Sequence, residues 1–388
     1  MSERIVSNPK DLIRCTRCVM PETQETIVFD ENGVCSTCRN IDIKHEKIDW
    51  QTKKKDFLKL LDQYRGKYPY DCIIPFSGGK DSVYAVYSLV RDYGLRPLVV
   101  SYDHHMIRPN TVRNRERVFK RLGIDFFSYR TNWHLVVKLM RVGLERKGDI
   151  YWYQHSGIFA LPMHMAIKFG APLVIWGEPS SEYTSYYNYD DEEEVDETRF
   201  NMFINLGITA QDMVGFLDDK NITLRDLQFH KYPDRKDLQA IKCRSICLGS
   251  YQPWDVKKQV AIIKKEIGWE GDVVEGVPSE YNYEKVEDML QGVQDYLKYI
   301  KRGYGRMSHL ASIDIRNGRL TRPEAMEMLD KWEGLRPASL DVLLKWLNIS
   351  EEEFYKIAVR HSVKPWKHNS SNIKYGAPLL DMKDWITE

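Results

Sequence analysis

No apolar run in this 388-residue chain reaches the roughly 18–20 positions that a bilayer-spanning helix needs. The opening MSERIVSNPK lacks the hydrophobic core of an export signal, so a soluble, cytoplasmic protein is expected. One-sided charge is missing too. Lysine and arginine total 57 against 56 acidic residues, a formal net charge of +1, so no overall basic field calls for a nucleic-acid partner. There is no internal repeat, and the one biased stretch, YDDEEEVDET at 189–198, reads as a solvated loop or helix edge. The pattern G-x-x-x-x-G-K-[ST] is absent, which excludes a Walker-type phosphate loop. Cysteines number seven, four of them in two C-x-x-C pairs. In a reducing compartment such pairs point to metal ligands rather than disulfides.

What is present is a strand–helix alternation. YDCIIPF (70–76), RPLVVSYD (96–103), IDFFSYR (124–130) and APLVIWGE (171–178) read as strands. Helical patterns separate them: 81–94 closing at Gly94, 111–123 ending at Gly123, and a stretch running through 157–170. That pace predicts a doubly wound parallel α/β sheet, with its ligand crevice at the carboxyl ends of the strands. Residues 1–45 form a metal-stapled module in this reading. Residues 46–66, with Ile48, Phe57, Leu60 and Leu61 among charges, form a connecting helix, 67–250 the nucleotide domain and 251–388 a helical C-terminal region. In that last region Val256, Val260, Ile263 and Ile267, then Val286, Met289, Val293, Leu297 and Ile300, recur at helical spacing. Thr321-x-x-Glu324 and Ser350-x-x-Glu353 predict capping boxes that open two further helices.

The strongest local signal is PFSGGKDS at 75–82, between a strand and a helix. Gly78 and Gly79 let the backbone bend and approach anionic oxygens, towards which the N–H groups of the helix start point. Ser77 and Ser82 add hydroxyl donors and Lys80 a compact positive charge. Asp81 either holds Mg²⁺ or caps the helix. Upstream, Cys15-x2-Cys18 and Cys35-x2-Cys38 stand sixteen residues apart, the spacing of a zinc ribbon. Four thiolates fill a tetrahedral Zn²⁺ and leave no open position, so the role expected is structural; two redox pairs or an iron–sulfur site are the alternatives. The segment between the pairs reads as a hairpin turning at Glu31-Asn32-Gly33.

The loop residues resemble the S-G-G-x-D-S fingerprint of the PP-loop ATP-pyrophosphatases, which include NAD synthetase, GMP synthetase and tRNA-thiolating enzymes. The resemblance implies that the loop holds the pyrophosphate of ATP while the adenylyl group passes to a carbonyl oxygen, from which a nitrogen or sulfur nucleophile displaces AMP. It further implies adenosine beside Asp103 at the end of the second strand, and a nucleotide-contacting Gly177 with an acidic Mg²⁺ ligand, Glu178, at the end of a later one. Glu182 is a weaker candidate of the same kind.

Two stretches are similar to a narrower family, the N-acetyl sugar amidotransferases of bacterial surface-polysaccharide synthesis. They are the opening RCTRCVMPET…FDENGVCSTC and the tail LKYIKRGYGRMSHLASIDIRNGRLTRPEAMEML at 297–329. This resemblance implies that ATP activates the acetamido group of a nucleotide-sugar, which ammonia converts to an acetamidino group. It also implies a separate glutaminase subunit, with a cyclase-like partner, as the ammonia source. The chain shows no glutaminase nucleophile of its own, and Cys72 lies inside a strand. Lys298, Lys301, Arg302 and Arg306 either bind the anionic nucleotide-sugar or form a solvated helix end. Two other readings are a zinc-containing tRNA-thiolating enzyme and a nucleotide-binding scaffold. Against thiolation, the later pair Cys243-x3-Cys247 is expected outside the α/β core; against a scaffold, every fingerprint position of the loop is intact.

Overall fold

The structure is a computed structural model that describes residues 4–182, 193–369 and 373–375; positions 189–192 of the acidic run lie outside the described residues. Helices α1 (Ser36–Glu46) and α2 (Trp50–Leu61) lead from the cysteine module into the sheet. There follow β1 (Cys72–Pro75), α3 (Lys80–Arg91), β2 (Pro97–Asp103), α4 (Pro109–Leu122) and β3 (Asp125–Arg130). The chain continues through α5 (Trp133–Lys147), α6 (Trp152–Phe169), β4 (Leu173–Trp176), the short α7 (Glu197–Arg199), α8 (Ala210–Leu217), α9 (Arg235–Ala240) and β5 (Arg244–Cys247). The remainder is mostly helical: α10 (Val256–Ile267), α11 (Gln291–Arg302), α12 (Arg306–Arg316), α13 (Arg322–Trp332), α14 (Ser339–Leu347) and α15 (Glu351–Arg360), with β6 (Leu335–Arg336) paired to β7 (Lys374–Tyr375).

The five strands pair in parallel in the order β3-β2-β1-β4-β5. Alternate residues of β1 face opposite layers, as the pleat requires. Ile73 joins the core under α5 and α6, whereas Cys72 and Ile74 join the core under α3, α4 and α10. Both cores also take residues from the C-terminal helices: α11, α14 and α15 complete the first, α12 and α13 the second. Glycines in the left-handed region end α4 at Gly123 (φ 62°) and α6 at Gly170 (φ 60°), where an L side chain would be strained.

Four local expectations are corrected. Cys243-x3-Cys247 does not lie outside the α/β core, because residues 244–247 form β5 and pair along β4; a four-residue strand with an arginine at its head has too little alternation to stand out. The hairpin between the cysteine pairs is reduced to isolated bridges, Arg14 to Pro21 and Phe29 to Cys35. Its turn is held by the Asp30 carboxylate, which accepts from Asn32 N (3.0 Å) and Val34 N (2.9 Å). Of the two capping boxes only that at Thr321 closes reciprocally. Ser350 accepts from Glu353 N, but the Glu353 carboxylate turns away to Arg141 at 2.6 Å. Finally, Val286 and Met289 precede α11 rather than opening it, although both are buried. No helix among the described residues is long and apolar enough to cross a membrane.

Candidate active site

In an open parallel sheet the ligand crevice lies where strand connections diverge, here between β1 and β4. The loop 77–82 leaves β1 at that point, and Gly177-Glu178 follows β4. Gly78 has φ +87°, and a Cβ there would strike Arg115 Cγ at 2.8 Å. Gly79 opens α3, and its missing side chain makes room for the Glu287 carboxylate. Arg115 donates to Ser77 O through Nε (3.0 Å) and Nη2 (2.6 Å), and Trp269 Nε1 donates to Gly78 O at 3.1 Å. With their carbonyls tied back, the loop N–H groups turn to hydroxyls: Gly78 N to Ser82 Oγ (3.1 Å) and Gly79 N to Ser77 Oγ (3.2 Å). A phosphate oxygen can take the place of either hydroxyl without rearranging the backbone.

Lys80, the compact positive charge expected of the loop, does not line the cavity itself. Its amino group lies beneath the loop, 3% exposed, and pairs with Asp81 Oδ2 and Glu284 Oε2, each at 2.8 Å. Burial alone would lower its proton affinity, but Asp81, Glu284 and Glu178 outweigh it and hold the amine well above its ordinary range. The Glu284 carboxyl, which burial would raise, is brought down to about 2 by Lys80 and Arg306. Glu284 carries no motif, and sequence reasoning missed it. Asp81 Oδ1 is buried without a hydrogen-bond partner, and Asp81 and Glu178 both line the cavity, the carboxylate chemistry that a divalent cation takes together with phosphate oxygens.

The loop faces a cavity of about 830 Å³. Ser77, Asp81, Ser82, Gly177 and Glu178 line it, and so do Lys298, Lys301, Arg302 and Arg306 of the tail. The two arginines are already paired. Arg306 makes a two-point contact with Asp295, both bonds 3.0 Å, and Arg302 reaches Glu25 of the cysteine module at 2.6 Å. The two lysines are less neutralised. Burial, helped by neighbouring arginines, lowers Lys298 to about 7 and Lys301 to about 8. Asp103 does not line the cavity: it pairs with Arg130 and accepts from His105 N at 3.0 Å. Its neighbours Tyr102 and His104 take that wall instead, because successive side chains at a strand end point opposite ways. Glu182 is drawn into a buried pair with Lys44.

The sulfurs of Cys15, Cys18, Cys35 and Cys38 all lie within 4.8 Å of one another and can hold a metal ion. Cys15 to Cys38 is 4.0 Å and Cys18 to Cys35 is 3.8 Å. A tetrahedral ion with bonds of about 2.3 Å sets its sulfurs roughly 3.8 Å apart, so the donor set fits one ion at the centre. The module braces the tail: Arg322 Nε donates to Cys15 O (3.3 Å) and Cys18 O (3.2 Å), and Thr23 Oγ1 to Arg302 O at 2.6 Å. Among the other thiols, burial raises Cys247 well above the usual range and Cys243 to about 12. Neither is poised as a thiolate.

Residues 275–379 match the family model described as LPS biosynthesis protein WbpG-like, C-terminal domain. A 116-residue stretch is 31% identical to an uncharacterized protein of Methanocaldococcus jannaschii; the match covers 29% of this chain and 41% of that relative's length. Among solved structures, the chain is similar to NMN synthetase from Francisella tularensis (12% identity, TM-score 0.38, 79% of this chain and 97% of that one). It is also similar to the NH3-dependent NAD synthetase from Campylobacter jejuni in complex with the nitrate ion (13%, TM-score 0.28, 59% and 100%). A third likeness is to the U34-tRNA thiolase NcsA from Methanococcus maripaludis with its 4Fe-4S cluster (10%, TM-score 0.27, 84% and 90%).

Proposed function

We propose that this chain, whose residues 275–379 carry a WbpG-like C-terminal domain, is the synthetase component of an ATP-dependent amidotransferase acting on an acetamido nucleotide-sugar. The observation that carries the reading is one cavity shared by two regions: residues of the SGGKDS loop and the lysines and arginines of the tail line it together. ATP sits on the loop side, its departing pyrophosphate held by loop N–H groups and by the Ser77 and Ser82 hydroxyls. Lys80, kept cationic by its carboxylates, offsets the negative charge from below. The tail lysines take the anionic part of the sugar nucleotide. Mg²⁺, held by Asp81 Oδ1 and Glu178 with phosphate oxygens, would screen the charge on the phosphates.

The chemistry answers a specific difficulty. An amide carbon is a poor electrophile, and its oxygen a poor leaving group. Attack of the acetamido oxygen on the α-phosphorus breaks the α–β bond and releases pyrophosphate. The resulting O-adenylyl imidate has AMP as its leaving group. Ammonia adds to the carbon, one N–H proton is lost, and AMP departs with the C–O electron pair, leaving the amidine. Ammonia comes, in this reading, from a separate glutaminase subunit with a cyclase-like partner, and the four cysteines hold a structural Zn²⁺. No nucleic acid is needed. The raised Cys243 and Cys247 thiols favour a nitrogen over a sulfur nucleophile.

The test is pyrophosphate release by the purified chain with acetamido nucleotide-sugars and ammonium salts, with the product followed by mass spectrometry. Replacement of O by NH in the sugar is expected. Release only with tRNA would replace this reading by thiolation, and glutamine-dependent turnover by the chain alone would remove the separate glutaminase.

A further inference from the structure

One wall of the cavity is polar, buried and incompletely satisfied. His104, directly after β2, is 2% exposed, and neither of its ring nitrogens has a hydrogen-bond partner. Nearby, Gln154 Oε1 and Gln294 Oε1 are likewise buried without partners, and Tyr151 sets its hydroxyl against Asp288; all four residues line the cavity. Native structures leave few such atoms unpaired, since each costs about 1–3 kcal/mol of desolvation. A cluster of them on one cavity wall indicates that a polar ligand completes it. Behind the imidazole stands Asp288, 3% exposed, with Oδ2 3.9 Å from His104 Nδ1. Gln154 Nε2 (2.9 Å, to Oδ2) and Leu290 N (2.7 Å, to Oδ1) fix that carboxylate in place. The separation is too long for a hydrogen bond, though such pairs commonly tighten when a ligand closes the site.

We propose that this wall is the acceptor subsite for the acetamido group and that His104, backed by Asp288, takes the proton from the attacking ammonia. The proposal rests on the amidination reading above, which requires a base and otherwise has none. In the step, the ammonia nitrogen bonds to the imidate carbon, one of its N–H protons passes to a ring nitrogen of His104, and the C–O bond breaks towards AMP. Asp288 stabilises the imidazolium so formed, while Tyr151, Gln154 and Gln294 hold the acceptor's polar groups. The charge around the ring suits the role. Burial lowers the imidazole's proton affinity, Asp288, Asp103 and Glu287 oppose that, and Arg115 adds to it. His155 of α6, itself lowered by burial, lies within range of the His104 charge. His104 is thus neutral at pH 7, as a proton acceptor must be.

The experiment separates the two half-reactions in the full-length protein, with a UDP-linked diacetamido uronic acid as the probe. Adenylation, read as sugar-dependent exchange of labelled pyrophosphate into ATP, needs no base for ammonia; amidine formation does. His104→Gln is expected to lower amidine formation at least about 100-fold more than it lowers exchange. The acid limb of the amidination rate, expressed per free NH3, should vanish with it. In the unmodified protein that limb should lie below the ordinary imidazole range and be missing from the exchange rate, a comparison that stands even if the variant fails to fold. Unchanged amidine formation in the variant, equal loss of both half-reactions in a folded variant, or an identical acid limb in both would overturn the base. Absence of exchange in the unmodified protein would instead overturn the amidination reading, and the base with it.

Discussion

Lys80, buried beneath the loop, and Lys298, half-buried in the cavity lining, are held in opposite states. Lys80, beneath the phosphate loop, is enclosed by Asp81, Glu284 and Glu178 and stays cationic. Lys298, on α11, hydrogen-bonds His309 Nε2, lies 4.7 Å from the Tyr304 ring centre, and has Arg302 and Arg306 as neighbours. Its proton affinity is brought down to about 7. Burial disfavours the charge in both places; the sign of the surrounding charges decides the outcome. Beneath the loop the carboxylates thus keep the lysine permanently cationic. The tail side can be recharged by the ligand it receives, since an incoming phosphate or carboxylate restores the ammonium form.

The largest effect should come from Lys80→Met. Loss of the charge under the pyrophosphate is expected to lower turnover about 100- to 1000-fold. Glu284, buried and left with Arg306 at 3.4 Å, should cost about 3 kcal/mol in denaturant unfolding. Adding Glu284→Gln should recover much of that stability without recovering turnover; recovery of both would show that Lys80 acts through folding alone. Next in size, Cys38→Ser should abolish bound metal in elemental analysis and expose residues 4–46 to protease, because ahead of α1 the module holds just a three-residue 3-10 turn (Pro9–Asp11) and isolated bridges among the described residues. The Arg322 and Thr23 contacts should transmit that loss to the tail as a raised nucleotide-sugar KM.

The smallest effect, and the sharpest on the comparison, is Lys298→Met. Here the sign follows from a folded value near 7 and an unfolded one of 10.5. Below pH 7 the folded protein bears the full cost of the buried ammonium. Between pH 7 and 10.5 the unfolded chain binds more protons, so stability rises with pH and the cost is released. The variant should therefore compare best with the unmodified protein near and below pH 7 and lose that relative gain towards pH 10.5, as read from denaturation midpoints. Its nucleotide-sugar KM should rise about tenfold, roughly 1.4 kcal/mol, with the ATP KM unchanged. A parallel rise in both would erase the distinction between the two sides.

The loop, its strand and its helix were legible because each is a contiguous signal: an apolar run, two glycines, then a helical period. The cysteine module was legible for the same reason, through ligand spacing. The residues that give the loop its setting were not. Glu284 and Glu287 lie some 200 positions away in an irregular segment, and nothing in EKVED distinguishes a carboxylate on a phosphate loop from a solvated one. Strand β5 was missed because four residues carry little periodicity, and the orientation of Asp103 because a strand end turns on a single residue of register.

By itself the sequence determined the parallel sheet, the glycine-rich turn between β1 and α3 and the four-cysteine cluster, since local backbone chemistry and short-range spacing suffice for each. Only the tertiary structure decided that Lys80 lies under the loop, that Arg302 and Arg306 are neutralised while Lys298 is not, and that His104 meets Asp288. Those outcomes depend on which charges share a low-dielectric space, and that is set by packing between segments far apart in the chain.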